Sequence, residues 1–183
     1  MIISLRGTSG SGKSTLVRKI TALYATGGVP FFVDGRRKAY YTTWVRDPPT
    51  GRALVVPGHY DIANGGIDTL GSLDEAYDIA READAKGHDV LMEGKNMSDG
   101  PPHALNLWKM EGRDVRVVHI NEPLSKCIRS VRKRGHSIAD ETIRKTHDKC
   151  LRDVTTFRCH GMPHVRQEGR EKCFDIIKWW LAL

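Results

Sequence analysis

The sequence lacks the features of membrane-spanning and disulfide-stabilised proteins. None of its apolar runs approaches the roughly 20 residues that a membrane-spanning helix requires. Met1-Ile2-Ile3-Ser4 leads directly into patterned sequence, so we expect neither a signal peptide nor a membrane anchor. Cysteine is scarce, with four residues and no Cys-x-x-Cys pair. This scarcity predicts reduced thiols and a cytoplasmic protein.

Internal repeats, low-complexity tracts and long linkers are also absent, so we expect one domain over residues 1–183.

Positive charge, in contrast, is in excess. The chain has 29 lysines and arginines against 22 aspartates and glutamates, which gives a formal net charge of +7. This charge favours a polyanionic partner, either a phosphate-rich small molecule or a nucleic acid, and does not choose between them.

Alternating strand and helix patterns predict an α/β fold, with a parallel sheet and helices on both faces. Predicted strands cover residues 1–6, 30–33, 89–94, 115–120 and 163–166. The first predicted helix begins at Ser14. Further helices are predicted over residues 72–87, 104–111, 124–134, 139–157 and 170–181. A β-hairpin insertion is predicted over residues 36–57, because β-forming segments flank the turn sequence Asp47-Pro48-Pro49-Thr50-Gly51.

Local patterns within the predicted helices add detail. Ser72 followed by Glu75 has the spacing of a capping box and predicts a helix start. The apolar period of the first helix predicts that Leu16, Ile20 and Leu23 are buried. In the last helix, we expect Trp179 and Trp180 to pack onto the sheet.

The most specific motif lies between the first strand and the first helix. Gly7-Thr8-Ser9-Gly10-Ser11-Gly12-Lys13-Ser14 matches G-x-x-x-x-G-K-[ST] at every fixed position, and Thr15 follows it. The glycines let backbone N–H groups converge on a β-phosphate, and the helix N-terminus adds partial positive charge. Lys13 is expected to bridge the β- and γ-phosphates, and the Ser14 hydroxyl to ligate Mg²⁺. The motif predicts binding of a nucleoside triphosphate.

Three classes of protein share this loop: GTPases, motor or transporter ATPases, and small kinases. The sequence contains no guanine-reading N-K-x-D motif and no transporter signature, and its 183 residues are too few for a motor core. The predicted strand 89–94 carries Glu93 near its end, where such sites place a second carboxylate. Glu93 is therefore a candidate to hold Mg²⁺ through water or to orient a substrate, the alternative being a solvent-facing carboxylate.

A basic segment follows the predicted strand 115–120. Its nine residues from position 126 contain the cations Lys126, Arg129, Arg132, Lys133 and Arg134. In phosphoryl transfer, arginines that close over the site neutralise charge on the transferred group and on the leaving β-phosphate. Residues 126–140 are therefore a candidate lid, with Arg129 and Arg132 as catalytic candidates and Arg134 as an ATP-binding candidate. A solvated helix face is the alternative.

In these features the chain resembles the small P-loop kinases, the group that contains nucleotide and polynucleotide kinases. The resemblance rests on residues 7–15, the strand that ends at Glu93, and the arginines at 129, 132 and 134. It extends to the order of elements along the whole chain. It implies a sheet of roughly five parallel strands and transfer of the γ-phosphate of ATP, with Mg²⁺, to an acceptor hydroxyl.

The acceptor side is expected between the first helix and Glu93. Residues 58–71 contain four glycines and no helical period, and Gly65-Gly66 permits close approach to a ligand or to the phosphate loop. Asp68 is a candidate base for an attacking hydroxyl, although a turn preparing the next helix explains it equally well. The candidate substrate contacts in this segment are His59, Tyr60, Asn64, Gly65, Gly66 and Thr69.

A second candidate base is Asp34. The spacing Asp34-x-x-Arg37 is similar to the acceptor motif of polynucleotide kinases. That similarity implies that the aspartate deprotonates a sugar hydroxyl and that Arg37 holds a phosphate. Asp34-Gly35 is equally a turn dipeptide.

The full set of motifs resembles bacteriophage P-loop kinases associated with DNA hypermodification. The residues that carry this resemblance are the phosphate loop, the hairpin, Gly58-His59-Tyr60, Gly65-Gly66-x-Asp68-Thr69 and Leu91-Met92-Glu93-Gly94. It implies a kinase for 5-hydroxymethyluracil within DNA, acting in the host cytoplasm, on a base brought out of the stack or on a major-groove group.

On this view the hairpin supplies DNA contacts. Its aromatic residues Tyr40, Tyr41 and Trp44 would stack on bases, although hairpin aromatics more often belong to the core. The surrounding cations would contact phosphates. These are Arg36, Arg37, Lys38, Arg46 and Arg52.

Two other functions fit the sequence. One keeps the kinase chemistry but takes a free nucleoside, a nucleotide or a polynucleotide 5′-hydroxyl as acceptor. The other is a DNA-binding ATPase or switch with no acceptor, which the lid-like arginines disfavour. A zinc site near the C-terminus is a further hypothesis, although the ligand spacings match no common zinc finger. The candidate ligands are Cys150, Cys159, His160, His164 and Cys173.

Overall fold

A computed structural model of the protein describes residues 1–24, 27–45, 52–60, 65–94, 101–135 and 137–183. The strands are β1 (Ile2–Gly7), β2 (Val29–Phe31), β3 (Tyr41–Trp44), β4 (Leu54–Pro57), β5 (Asp89–Glu93), β6 (Val115–Ile120) and β7 (Val165–Glu168). The helices are α1 (Lys13–Thr21), α2 (Leu73–Ala85), α3 (Pro101–Leu105), α4 (Leu124–Lys133), α5 (Asp140–Cys159) and α6 (Arg170–Leu181). A 3₁₀ turn, Ile67–Thr69, precedes α2, and a π-helical turn, Asn106–Met110, continues α3.

Seven strands form one sheet in the order β2-β3-β4-β5-β1-β6-β7. The neighbours from β4 to β7 all pair in parallel, whereas β2 and β3 pair antiparallel and extend the β4 edge. The predicted number of about five parallel strands is therefore confirmed, and so is the hairpin between β3 and β4. The predicted strand 30–33, however, is the antiparallel β2, and the fifth parallel strand is β4, which was predicted as part of the hairpin insertion. Since β4 pairs with both β3 and β5, the hairpin is continuous with the main sheet.

Helices cover both faces of the sheet, as predicted. Successive residues of β1 point to opposite faces, so Ile2 packs in the core beneath α2 and α5, while Ile3 packs in the core beneath α1 and α6. Because side chains alternate between the two faces along each strand, the apolar residues divide between two cores, one on each face of the sheet. The carboxyl ends of the parallel strands meet at one edge of the sheet, where the loops after β1, β4 and β5 come together.

The start of α2 follows the predicted capping pattern. The Ser72 hydroxyl accepts a hydrogen bond from the Glu75 N–H at 3.1 Å, and the Glu75 carboxylate accepts one from the Gly71 N–H at 2.9 Å. This cap fixes where the acceptor-side loop ends. It also places the 3₁₀ turn Ile67–Thr69 directly before the helix.

Two details of the predicted core are wrong. Leu23 is 45% exposed, because α1 ends at Thr21 and the chain turns before Leu23 can continue the helical face. Trp180 is buried as expected, but Trp179 is 75% exposed, since adjacent residues of a helix point in directions about 100° apart.

No helix in the described part of the chain is both long and apolar enough to span a bilayer.

Candidate active site

The phosphate loop lies between β1 and α1, at the carboxyl edge of the sheet. The buried Lys13 ammonium donates hydrogen bonds to the Gly7 carbonyl at 2.8 Å and the Thr8 carbonyl at 3.4 Å. The loop turns at Thr8, whose carbonyl also accepts the Ser11 N–H at 3.0 Å. Ser9 and Ser14 are half-buried and Thr15 is exposed. The loop therefore presents both backbone N–H groups and a fixed positive charge.

Glycine is required at position 10 of this loop. Gly10 has a φ of +87°, and a Cβ there would collide with the Cys127 carbonyl of α4. Gly12, with a φ of +96°, faces the aliphatic part of Arg170 at the start of α6. The phosphate loop is thus enclosed between α4 and α6, which fixes its conformation.

Glu93 connects the phosphate loop to the acceptor side. It ends β5, next to β1, and one of its carboxylate oxygens accepts hydrogen bonds from the Ser14 hydroxyl at 3.1 Å and the Tyr60 hydroxyl at 3.2 Å. The side chain is buried rather than facing solvent. Burial raises the pKa of Glu93, against the lowering effect of the Lys13 ammonium. Burial, and then the charge of Glu93, raise the pKa of Tyr60 well above its usual value, so Tyr60 remains a donor.

The oxygen atoms at this position suit a hard divalent cation. Ser14 contributes a hydroxyl and Glu93 a carboxylate, the ligand types that Mg²⁺ prefers. No group of three or more histidines, cysteines, aspartates or glutamates in the described residues is arranged to hold a metal ion. The structure thus does not bring the C-terminal cysteines and histidines together as a ligand set, and all four cysteines are free.

The acceptor-side loop is tied to the end of β5. His59 and Gly66 form an antiparallel bridge, and the Thr69 hydroxyl accepts the His59 N–H at 3.1 Å while donating to the Gly66 carbonyl at 2.7 Å. Gly66 has a φ of +76°, and a Cβ there would collide with the Glu93 carbonyl. The close approach that Gly65-Gly66 permits is therefore to β5, and the Thr69 hydroxyl holds the loop together. Asn64 lies outside the described residues.

The two candidate bases lie in different places. The half-buried Asp68 carboxylate lies beside Gly94, 3.1 Å from the position of a Cβ there, and its charge contributes to raising the pKa of both Glu93 and Tyr60. Asp34 is exposed in the turn after β2. The strand β2 that leads into this turn is four strands away from β1, a separation of roughly 19 Å between the two strands.

The arginines of the candidate lid lie on and just after α4. All three are exposed; Arg132 forms an ion pair with Asp140, and the Arg134 guanidinium donates to the Ser130 carbonyl at 3.3 Å. Arg129 has no such contact among the described residues. The contact between Gly10 and Cys127 shows that the same helix touches the phosphate loop.

Sequence reasoning missed a buried polar group behind the loop. Arg6, directly before Gly7, forms an ion pair with Asp153 at 3.5 Å and lies over the Phe157 ring at 4.8 Å. Its neighbour across the sheet is His119, which is 2% exposed. An arginine within an otherwise apolar strand was the available signal. Its partner lies 147 residues away, so the pairing itself could not be inferred.

Arg170 is a second residue that sequence reasoning missed. Its backbone N–H donates to the Glu122 carboxylate at 3.4 Å, and its side chain packs against Gly12. The residue begins a helix that the sequence predicted correctly, but nothing local indicated that this helix starts beside the phosphate loop.

Comparison with known proteins shows which proteins this chain is similar to. The chain is 40% identical over 133 residues to the 5-hmdU DNA kinase of Pseudomonas phage PaMx11, an alignment that covers 73% of this chain and 68% of that protein. It is 27% identical to the arabinose import ATP-binding protein AraG of Rhizobium etli, over 68% of this chain and 28% of that protein. A deoxyadenosine kinase from M. mycoides aligns over 100% of this chain and 99% of its own, with a TM-score of 0.49 and 10% identity. No family model matches the chain.

The parallel sheet, the phosphate loop and the carboxylate at the end of the neighbouring strand define a P-loop nucleotide-binding site. Because the phage relative is a kinase, the protein is a P-loop kinase, an enzyme that transfers phosphate from ATP. Within this class, the chain belongs to the family of the phage 5-hmdU DNA kinase.

Proposed function

We propose that the protein transfers the γ-phosphate of ATP to the hydroxymethyl group of 5-hydroxymethyluracil in DNA. The observation that carries this proposal is the position of Glu93, whose carboxylate accepts hydrogen bonds from Ser14 of the phosphate loop and Tyr60 of the acceptor loop. A residue from the ATP side and a residue from the acceptor side thus bind the same buried Glu93 carboxylate. The name of the phage relative supplies the acceptor, 5-hmdU in DNA.

The reaction is an in-line displacement at the γ-phosphorus. The hydroxymethyl oxygen forms a bond to the γ-phosphorus, the bond from that phosphorus to the β–γ bridging oxygen breaks, and ADP leaves. The phosphate loop and the Lys13 ammonium stabilise the charge on the β- and γ-phosphates. The exposed Arg129, on the helix that contacts Gly10, is the best-placed lid arginine to join them, because Arg132 and Arg134 already have protein partners.

The proton of the attacking hydroxyl goes to Asp68. Its carboxylate lies at the end of β5 beside Gly94, close enough to influence Glu93 and Tyr60. Asp34 is exposed in the turn after β2, a strand that lies roughly 19 Å from the phosphate-loop strand β1. We therefore favour Asp68 over Asp34 as the general base.

Ser14 and Glu93 are the groups that would hold Mg²⁺, Glu93 directly or through water. When bound, the cation supplies charge neutralisation to the triphosphate. Tyr60 also takes part in this site, because its hydroxyl donates a hydrogen bond that orients the Glu93 carboxylate. With DNA as acceptor, the expected place of action is the cytoplasm of the infected host.

The test is a transfer assay with γ-labelled ATP and four reactions: DNA containing 5-hydroxymethyluracil, ordinary DNA with a 5′-hydroxyl, free nucleosides, and no acceptor. Label is expected in the first DNA and not in the others. Lys13→Ala is expected to lower the rate by roughly 100-fold or more, since it removes a charge aimed at the transferred group. Label in free nucleosides alone would make the enzyme a nucleoside kinase, and ATP hydrolysis without labelled acceptor would support the ATPase alternative.

A further inference from the structure

A cavity of about 440 Å³ lies on the α1 face of the sheet, beside the active site. It exists because β2 and β3 extend the sheet beyond the reach of α1, which ends at Thr21. One wall comes from α1, another from β3 and β4, and a third from residues 37–39 before β3. This volume is in the range of small-molecule sites.

The lining combines aromatic and apolar surface with cations. Trp44 and Phe32 lie on the sheet side, and Tyr60 lies at the end nearest the phosphate loop. The charged lining residues are Arg18, Arg37 and Lys38, and no aspartate or glutamate joins them among the described residues. An occupant that is both planar and anionic complements such a surface, because planar groups stack on the rings and anionic groups are attracted to the excess positive charge.

The side chains of the hairpin divide between the two faces of the sheet, and only those on the α1 side face this cavity. Tyr40 and Tyr41 pack on the α2 side of the sheet, whereas Trp44 packs on the α1 side, so the three aromatics do not form one stacking platform. The hairpin cations divide in the same way. Arg36 pairs with Glu75 at 3.6 Å, Arg52 pairs with Asp89 at 2.9 Å, and Arg46 lies outside the described residues. Arg37 and Lys38 line the cavity, as does Arg18 of α1.

Tyr60 connects the cavity to the reacting groups. Its ring lines the cavity while its hydroxyl donates to Glu93 at 3.2 Å. Arg18 supports this wall, since its guanidinium donates to the Tyr60 carbonyl at 3.0 Å and lies 5.7 Å from the ring centre. A planar group in the cavity would therefore be one tyrosine ring away from the carboxylate that faces the phosphate loop.

We infer that this cavity is the binding site of the acceptor nucleotide, with its base rotated out of the DNA stack and placed against Trp44. The inference rests on the proposed function and extends it. The cations come from two separate elements, α1 and the segment before β3, and a nucleotide within a strand carries a phosphate on each side of its sugar. A free nucleoside has no phosphate to use either set. The chemistry therefore favours a strand of DNA.

The experiment uses the full chain, a duplex with one 5-hydroxymethyluracil, and free 5-hydroxymethyl-2′-deoxyuridine. Arg37→Ala removes an exposed cation that has no ion pair among the described residues, so the fold is expected to persist. Ala39→Trp fills the cavity from the segment before β3. Arg152→Ala is the matched control, because it removes an exposed arginine from α5, on the opposite face of the sheet.

Arg37→Ala is expected to raise the KM for DNA roughly three- to tenfold, and to reduce by about 0.9 the slope of log KM against log salt, as one lost phosphate contact does. Ala39→Trp is expected to raise the KM for DNA at least about tenfold, the loss of one stacked base. The KM for ATP and the melting temperature show whether each variant is folded. Arg152→Ala is expected to match the wild type in all of these.

Three results would overturn the assignment. If wild type phosphorylates the DNA but Arg37→Ala and Ala39→Trp both behave like Arg152→Ala, the acceptor binds elsewhere and the proposed function stands. If Ala39→Trp blocks transfer to the free nucleoside while Arg37→Ala has no effect on either acceptor, the occupant is a nucleoside. If wild type labels no DNA at all, the proposed function itself fails, which the wild-type reaction shows without any variant.

Discussion

At the scale of single residues, the site depends on where two carboxylates sit relative to the phosphate loop. Asp68 lies at the end of β5, while Asp34 lies beyond the antiparallel edge of the sheet. Asp68→Asn is expected to lower kcat by roughly 100-fold or more with little change in the KM for ATP, because it removes a proton acceptor and no triphosphate contact. Steady-state kinetics check this. Asp34→Asn is the control, and a larger loss of kcat there would reverse the assignment.

Glu93 is expected to set the acid limit of activity. Its carboxylate form accepts the Ser14 and Tyr60 hydroxyls, and burial raises its pKa above the ordinary value of 4.5. As pH falls through that raised pKa, the carboxylate is lost and kcat/KM falls with it. The pH profile of Glu93→Gln is expected to lack this limb and to run at a much lower level. Glu82→Gln, at an exposed position of α2, is expected to keep the wild-type profile.

At the scale of elements, the acceptor loop is held against β5 by a glycine that no other residue can replace without strain. Gly66 and Gly87 have similar φ values of +76° and +78°, but Gly66 also has a ψ of −150°, a backbone conformation almost restricted to glycine. A Cβ at Gly66 would in addition meet the Glu93 carbonyl, whereas one at Gly87 meets nothing within 4 Å. Gly87→Ala is expected to cost about 1 kcal/mol of unfolding free energy. Gly66→Ala is expected to cost about 1–3 kcal/mol more, for the added collision and the backbone strain.

Urea unfolding of the two glycine variants measures that difference directly. Gly66→Ala is also expected to lower activity, since the collision displaces the strand end that carries Glu93. Equal destabilisation of the two variants would show that the contact with β5 is not important for the loop.

Elements defined by local pattern were predictable, and those defined by distant partners were not. The phosphate loop, the capped start of α2 and the helix Arg170–Leu181 all follow from residues close together in sequence. The separation of Tyr41 from Trp44 also had a signal, because residues three apart in a strand point to opposite faces. The cavity had none. It requires that β2 pair with β3 and that α1 end early, both of which depend on tertiary contacts.

At the scale of the whole molecule, one buried histidine makes the fold sensitive to acid. Both ring nitrogens of His119 lack hydrogen-bond partners in the described part of the chain. Burial, and then the positive charges of His147, Lys13 and Arg6, lower the pKa of His119 from 6.5 to about 4. The unfolded chain therefore binds a proton between these values while the folded chain does not, so stability falls as pH drops from 6.5 to 4.

The contribution of His119 to this loss is roughly 3 kcal/mol once the pH is below 4. Urea unfolding across this pH range checks it. His119→Gln, which cannot take up the proton, is expected to lose less stability on acidification than the wild type does. His160→Gln removes an exposed histidine instead and is expected to behave as wild type. The same pH dependence in all three proteins would contradict the assignment.

The net charge of +7 now divides into parts with different tasks. Lys13 belongs to the triphosphate, Arg6 to a buried ion pair, and Arg36 and Arg52 to contacts within the fold. The proposed function assigns the exposed Arg37 at the cavity and the exposed Arg129 on α4 to phosphates of the substrates. Under the proposed function, ATP and the acceptor DNA thus contact different cations.

The proposed function requires that phosphate is transferred to a base-borne hydroxymethyl group within DNA. The most direct measurement incubates the enzyme with ATP and two duplexes that differ only in one 5-hydroxymethyluracil or thymine, digests each to nucleosides and determines their masses. We expect one nucleoside of the first duplex to gain a single phosphoryl group on its hydroxymethyl oxygen, with the thymine duplex unchanged. Phosphate found only at DNA 5′-ends, or equally in both duplexes, would contradict this account.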